Sequence, residues 1–138
     1  MKKNNSSNLK GNVSREVQRL EHEGNELDTR SVPEEVPVAL IYNGVSHVVM
    51  MMTPTLLKEY AVGFSLTEGL IEKPDELGTI EVQQTDRGIL LKAELPEERF
   101  ELLATRLRGH AGQTGCGICG LIDLENVVRP LPKISTAP

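Results

Sequence analysis

The sequence predicts a single α+β domain in which two β-hairpins pack against helices and a glycine-rich loop carries a Cys-x-x-Cys motif. Its 138 residues correspond to about one domain. Two hairpin patterns alternate with two helical patterns along the chain, which is typical of an α+β fold. Both cysteines of the chain lie near its end, two residues apart.

The composition indicates a small aliphatic core and argues against several classes of function. Hydrophobic residues make up 38%, aromatic residues only 3%, and tryptophan is absent. The net charge of −5 argues against a nucleic-acid partner. No apolar run approaches the ~20 residues of a membrane span, and the polar start lacks the apolar stretch of a secretory signal. Two close cysteines do not form a secreted disulfide framework, so the cytoplasm is the expected location.

The N-terminal part is predicted to be the least ordered. Residues 1 to about 12 are rich in Asn, Ser and Lys, which is typical of disorder. Spaced apolar residues favour a first strand at 13–20, whereas the acidic run 21–35 is interpreted as a linker. We therefore expect a disordered or partly ordered region at 1–34, an α+β domain at 35–109, and the Cys-x-x-Cys loop with a proline-rich end at 110–138.

The first hairpin is predicted at residues 36–42 and 45–52. Asn43-Gly44 lies between these apolar runs, and this dipeptide is a strong hairpin signal because both turn positions favour positive φ. Both faces of the hairpin are apolar, so we expect it to be buried on both sides. The expected cross-strand pairs are Tyr42 with Val45, Leu40 with His47, and Val38 with Val49.

The remaining elements follow from capping and turn signals. Thr53-Pro54 is interpreted as the N-cap and first residue of a helix, and the pattern from Ser65 to Glu68 as a capping box that starts a second helical turn. A second hairpin is predicted at 79–85 and 89–95. Pro96 then begins the second helix, which has acidic residues in its first turn and is expected to end at Gly109.

The cysteine motif is predicted to lie on a loop. It reads Gly-Gln-Thr-Gly-Cys-Gly-Ile-Cys-Gly over residues 112–120, with the thiols at Cys116 and Cys119. Each glycine disfavours a helix by about 1 kcal/mol relative to alanine, so the helix start that holds a thioredoxin-type cysteine is not expected here. Two thiols at this spacing can form a disulfide, share a metal, or pass sulfur between molecules.

Four interpretations of the motif stay open on the residues alone. Structural zinc needs four ligands, but only His110 lies near the two thiols, because His22 and His47 belong to distant segments; we expect no bound metal. A dithiol oxidoreductase fits the spacing but not the context. The cysteines can also be inert, although exposed thiols are an oxidation liability. In a sulfur relay, the positive charges of Arg106 and Arg108 would favour the nucleophilic thiolate.

Three blocks of sequence resemble the formate dehydrogenase accessory sulfurtransferase family, also called the FdhD/NarQ family. They are residues 35–44, 63–71 and 112–120, in the family's order and at similar intervals, and the resemblance extends over about 32–132. It implies that sulfur is accepted from a cysteine desulfurase and passed to the molybdenum cofactor, a bis-molybdopterin guanine dinucleotide, for formate dehydrogenase. It also implies that Cys116 carries the persulfide and that Cys119 is the second thiol of the site.

The resemblance also implies that part of the family's structure is absent. Family members continue into a half similar to cytidine deaminases that carries much of the nucleotide-cofactor site, whereas this sequence stops at Pro138. We therefore expect no tightly bound cofactor. Gln113 stands where an arginine is common in the family, which removes a positive charge beside the thiols. A homodimer stays open, and a dithiol redox module or a non-enzymatic interaction scaffold is the alternative function.

Overall fold

The computed structural model describes residues 9–21, 24–106 and 118–127, and it begins with a two-stranded antiparallel ribbon. Its strands are β1 (Asn12–Glu21) and β2 (Gly24–Pro33). The strand predicted at 13–20 is confirmed. The linker interpretation of 21–35 is wrong, because residues 24–33 form strand β2, in which Glu26 lies opposite Arg19. Such cross-strand pairing stabilises strands that no local sequence window reveals.

The body of the domain is a four-stranded mixed sheet. Its strands are β3 (Val36–Tyr42), β4 (Val45–Met52), β5 (Ile80–Thr85) and β6 (Gly88–Ala93), in the order β4-β3-β6-β5. Both predicted hairpins are present as antiparallel pairs. The parallel pairing of β3 with β6 joins them into one sheet, and this joining was not predicted. The α+β class is confirmed.

The first hairpin contains a β-bulge that changes the predicted register. Tyr42 pairs with Val45 as expected, but Leu40 pairs with Val48 and Ala39 with Val49. The expected pairs of Leu40 with His47 and of Val38 with Val49 are therefore wrong. One extra residue on β4 shifts every pair beyond the bulge.

The two helices confirm the predicted order of elements, but the first begins later than expected. Helix α1 (Leu57–Thr67) follows Leu56, which has a left-handed backbone conformation and makes no side-chain cap. The predicted start of this helix at Thr53 is therefore wrong. The capping box is also wrong, because Ser65 lies inside α1. Helix α2 (Glu97–Arg106) begins directly after Pro96, as predicted. Within the described ranges, no helix is long and apolar enough to cross a bilayer.

Apolar side chains cover both faces of the sheet. On one face, Val38 and Leu40 of β3 pack with residues of α1 and α2 in the main core. On the other face, Ala39 and Val49 pack with Leu124, from the segment that follows the cysteine motif. The expected burial of the first hairpin on both sides holds for the middle of β3, whereas most of β4 is only partly buried and Val45 is 43% exposed. The second face of the sheet is therefore covered by residues just downstream of Cys119.

Candidate functional site at the edge of the sheet

The structure places one of the two predicted thiols. Cys119 is partly buried at the start of the described segment 118–127. Cys116, His110, Gln113 and the predicted helix end at Gly109 lie outside the described residues, as does His22. The site is therefore built around Cys119 and the residues that surround it.

Cys119 lies along the open edge of β4. The backbone of Val49 makes two hydrogen bonds to this segment: its carbonyl accepts from Gly120 N at 3.0 Å, and its N–H donates to Leu121 O at 2.7 Å. The next outward-facing N–H on β4, that of Met51, donates to Cys119 Sγ at 3.4 Å. The sulfur therefore takes the position that a carbonyl oxygen of a neighbouring strand would occupy.

Apolar packing holds this segment against the sheet. Ile118 and Leu121, on either side of the thiol, pack against the cluster on the second face of the sheet. The Ser46 hydroxyl donates a hydrogen bond to Ile122 O, and the chain then forms a short 3-10 helix (Leu124–Asn126). Hydrogen bonds to β4 and apolar contacts together fix the backbone that carries Cys119.

Aromatic rings from β3, β4 and α1 form a row. The His47 ring lies 5.7 Å from Tyr42 and 5.9 Å from Phe64, and Phe64 lies 5.8 Å from Tyr60, all as ring-centroid distances. The whole chain has two tyrosines, two phenylalanines and no tryptophan, so this row holds most of its aromatic side chains. We call these four residues the aromatic row.

The two tyrosines of the row differ in how their hydroxyls are satisfied. Tyr42 is buried, and its hydroxyl is hydrogen-bonded to Ser65 Oγ at 2.8 Å. Burial raises the pKa of the Tyr42 phenol to about 12, although the bond to Ser65 opposes this shift. The Tyr60 hydroxyl is also buried, but it has no hydrogen-bond partner among the described residues.

Tyr60 also interacts electrostatically with the cysteine segment. Burial is the main cause that raises the pKa of the Tyr60 phenol, and the negative charges of Cys119 and Glu68 raise it further. No local pattern in the sequence indicates this electrostatic interaction, because Tyr60 lies in α1 and Cys119 lies on a segment far along the chain.

No metal or nucleotide site is assigned from the described residues. In those ranges, no three His, Cys, Asp or Glu side chains come together. The expectation of no bound metal stays a prediction, because Cys116 and His110 lie outside the described ranges.

Two cavities, of about 510 and 600 Å³, share Leu9, Val36 and Gln84 and lie where the ribbon meets the sheet. They do not border Cys119.

Fold and site together define a small α+β domain that fixes a thiol at the edge of a mixed sheet. The family model described as FdhD/NarQ family matches residues 33–137. The chain therefore belongs to the FdhD/NarQ family, as the three sequence blocks indicated.

Two curated relatives are similar to this chain, and both are named sulfur carrier protein FdhD. The protein from Cupriavidus necator is 46% identical over 112 residues, which are 80% of this chain and 39% of the relative. The protein from Acinetobacter baylyi is 48% identical over 104 residues, which are 75% of this chain and 38% of the relative. The chain thus spans about two fifths of the length of these relatives.

A solved structure has the same fold. It is the crystal structure of a formate dehydrogenase accessory protein from Desulfotalea psychrophila, with a TM-score of 0.51 and 22% sequence identity. The match covers 65% of this chain and 39% of that protein. At this identity, the likeness concerns the fold alone.

Proposed function

We propose that this chain acts in sulfur transfer for the maturation of formate dehydrogenase, as a sulfurtransferase that uses a cysteine persulfide. In this proposal, a cysteine desulfurase supplies the sulfur, Cys116 carries it, and the molybdenum cofactor is the acceptor substrate. The observation that carries the proposal is the family match, which includes the Cys-x-x-Cys segment and joins this chain to relatives named sulfur carriers. A thiol chemistry of this kind needs a reducing compartment, so we place it in the cytoplasm.

The first step is an exchange between sulfur atoms. The thiolate of Cys116 attacks the terminal sulfur of a persulfide on the donor protein. A new S–S bond forms at Cys116, the S–S bond of the donor breaks, and the thiolate of the donor leaves. The sulfane sulfur changes carrier without any net oxidation or reduction. Only a deprotonated, accessible thiol can perform this attack.

The second step gives Cys119 a role. The Cys119 thiolate attacks Sγ of the Cys116 persulfide, a Cys116–Cys119 disulfide forms, and the terminal sulfur leaves as sulfide for the acceptor. The two thiols lose two electrons, and the sulfane sulfur gains them. An external dithiol reductant then returns the disulfide to two thiols. The fixed position of Cys119 beside Met51 N–H supports this division between a carrier and a resolving thiol.

The carrier role is tested by measuring the intact mass of the chain after incubation with an active cysteine desulfurase and cysteine. We expect a gain of one or more sulfur atoms, which Cys116→Ala abolishes and Cys119→Ala preserves. Equal labelling of Cys116→Ala would transfer the carrier role to Cys119. If the wild-type chain takes up no sulfur from a donor of verified activity, a dithiol redox module or a non-enzymatic interaction scaffold is the better description.

A further inference from the structure

The segment that carries Cys119 is attached to the edge of β4 by three hydrogen bonds, and one of them uses the sulfur. Gly120 N–H donates to Val49 O at 3.0 Å, and Val49 N–H donates to Leu121 O at 2.7 Å. Met51 N–H donates to Cys119 Sγ at 3.4 Å. In the third bond a side-chain sulfur takes the place of a backbone carbonyl, so this end of the attachment depends on the chemical state of that sulfur.

The other end of the segment is attached in a different way. Leu124 is buried and packs in the same cluster as Ala39 of β3. The Ser46 hydroxyl donates a hydrogen bond to Ile122 O. Neither contact involves the sulfur, so chemistry at Cys119 can loosen the first residues of the segment while the later ones stay anchored.

The strength of the sulfur as an acceptor changes with its covalent state. A thiolate is a charged acceptor, and hydrogen bonds to charged groups are about twice as strong as those between neutral groups. A sulfur that is bonded to a second sulfur is neutral, and neutral sulfur is a weak acceptor. The second sulfur also needs space beside Cys119, which is already partly buried. Both effects weaken the bond from Met51 N–H.

We propose that residues 118–121 form a thiol-dependent latch, which is attached to β4 while the Cys119 sulfur is free and is released when that sulfur is bonded to another sulfur. At the end of the proposed transfer Cys119 is part of a disulfide, and release of the latch makes this disulfide accessible to the external dithiol reductant. The inference rests on the proposed function for the step at which the latch opens. The contact that opens is independent of it.

The latch can be tested in the Cys116→Ala chain, where Cys119 is the only thiol. Methyl methanethiosulfonate converts it to a methyl disulfide: the Cys119 thiolate attacks the methylthio sulfur, a new S–S bond forms, and methanesulfinate leaves. Amide hydrogen exchange measured by NMR then reports the opening. We expect the amides of Val49 and Met51 to exchange about tenfold faster after modification, the factor that corresponds to one lost hydrogen bond. The amides of the central strand β6 should keep their rates.

Two variants in the same Cys116→Ala background serve as controls. Cys119→Ser keeps an oxygen that can accept from Met51 N–H but cannot form a disulfide, so the amides of Val49 and Met51 should exchange slowly with and without the reagent. Cys119→Ala has no acceptor, so the amide of Met51 should exchange fast even without the reagent.

The outcomes separate the latch from the proposed function, because no sulfur donor is used. Unchanged exchange at Val49 and Met51 after modification would overturn the latch, and so would equal acceleration in β6, which would indicate a general loosening of the sheet. A thiol that the reagent never modifies would overturn it as well, since the segment would then not open. Each of these results leaves the carrier role of Cys116 standing. If the wild-type chain takes up no sulfur while the exchange rates change as expected, the proposed function fails and the latch remains.

Discussion

At the scale of single residues, Ser65 shows how a buried polar group is satisfied in this fold. Its hydroxyl is fully buried in α1 and donates to Ala61 O at 2.7 Å. Since its one proton is used there, Ser65 Oγ accepts from the Tyr42 hydroxyl at 2.8 Å. The bond connects the helix to the central strand β3 through the middle of the main core.

Because Tyr42 donates to Ser65, substitutions at these two positions should differ in how much they destabilise the chain. Ser65→Ala leaves the buried Tyr42 hydroxyl without an acceptor and should destabilise the chain by about 1–3 kcal/mol. Tyr42→Phe leaves Ser65 bonded to Ala61 and should cost only about 1 kcal/mol. Urea unfolding measures both, provided that the slope with denaturant is unchanged. A larger loss in Tyr42→Phe would contradict the assigned direction.

The sequence alone could not assign Ser65 correctly. The spacing of Ser65 and Glu68 matches a capping box, which is a pattern over three residues. The actual partner, Tyr42, is 23 positions away and belongs to another element. Similarly, the motif identified Cys119 as a site residue, but its hydrogen-bond donor is a backbone N–H of Met51, which every residue type except proline carries.

At the scale of elements, the parallel pairing of β3 and β6 depends on Gly88. This glycine has φ +144°, and a Cβ built on it would lie 2.3 Å from Pro37 O. The two strands can therefore approach closely only because no side chain is present at their junction. The pairing Val38–Ile89 begins one residue further along both strands.

Gly88→Ala should separate the two hairpins at this junction. We expect a loss of at least about 2 kcal/mol in the free energy of unfolding, from backbone strain and from the contact with Pro37 O. Gly63→Ala is the matched control, because Gly63 lies on the exposed side of α1 with no atom within 4 Å of the added Cβ. That variant should gain up to about 1 kcal/mol from helix propensity.

Denaturant unfolding of both glycine variants provides the test. A loss below about 0.5 kcal/mol in Gly88→Ala, the usual range of neutral surface substitutions, would show that the junction can open without cost. A loss in Gly63→Ala would indicate that this face of α1 is covered in solution.

Each hairpin could be predicted from the sequence because the residues that determine a hairpin are close together in the chain. Asn43-Gly44 and the strands beside it lie within one window, and their turn chemistry fixes the connection. The bulge at Leu40 and the joining of β3 to β6 depend on side chains that pack from α1, α2 and the C-terminal segment. Those contacts connect distant parts of the chain, so periodicity within a window carries no information about them.

At the scale of the whole molecule, the β1–β2 ribbon contrasts with the rest of the chain. Leu20 and Leu27, which share one face of the ribbon by its register, are 75% and 68% exposed. On the other face, Arg15 lies directly opposite Arg30, which is unfavourable for like charges. A two-stranded ribbon without a core is at best marginally stable in water.

Amide hydrogen exchange should therefore divide the chain into two classes. We expect amides of β1 and β2 to exchange soon after transfer to heavy water, whereas those of the central strands β3 and β6 exchange only through global unfolding. Mass spectrometry of peptides from each region measures the difference. Protection of the ribbon equal to that of β3 would contradict this expectation and show that the ribbon is covered in solution.

The position of the cysteine segment has a consequence for self-association. Strand β4 is at the edge of the sheet, and an uncovered edge strand invites pairing with another chain. Gly120 and Leu121 occupy the N–H and carbonyl of Val49 that such a partner would use. The residues that hold the thiol in place thus also cover this part of the β4 edge, so any chemistry that lifts the segment from β4 exposes unpaired backbone groups with which another chain can form hydrogen bonds.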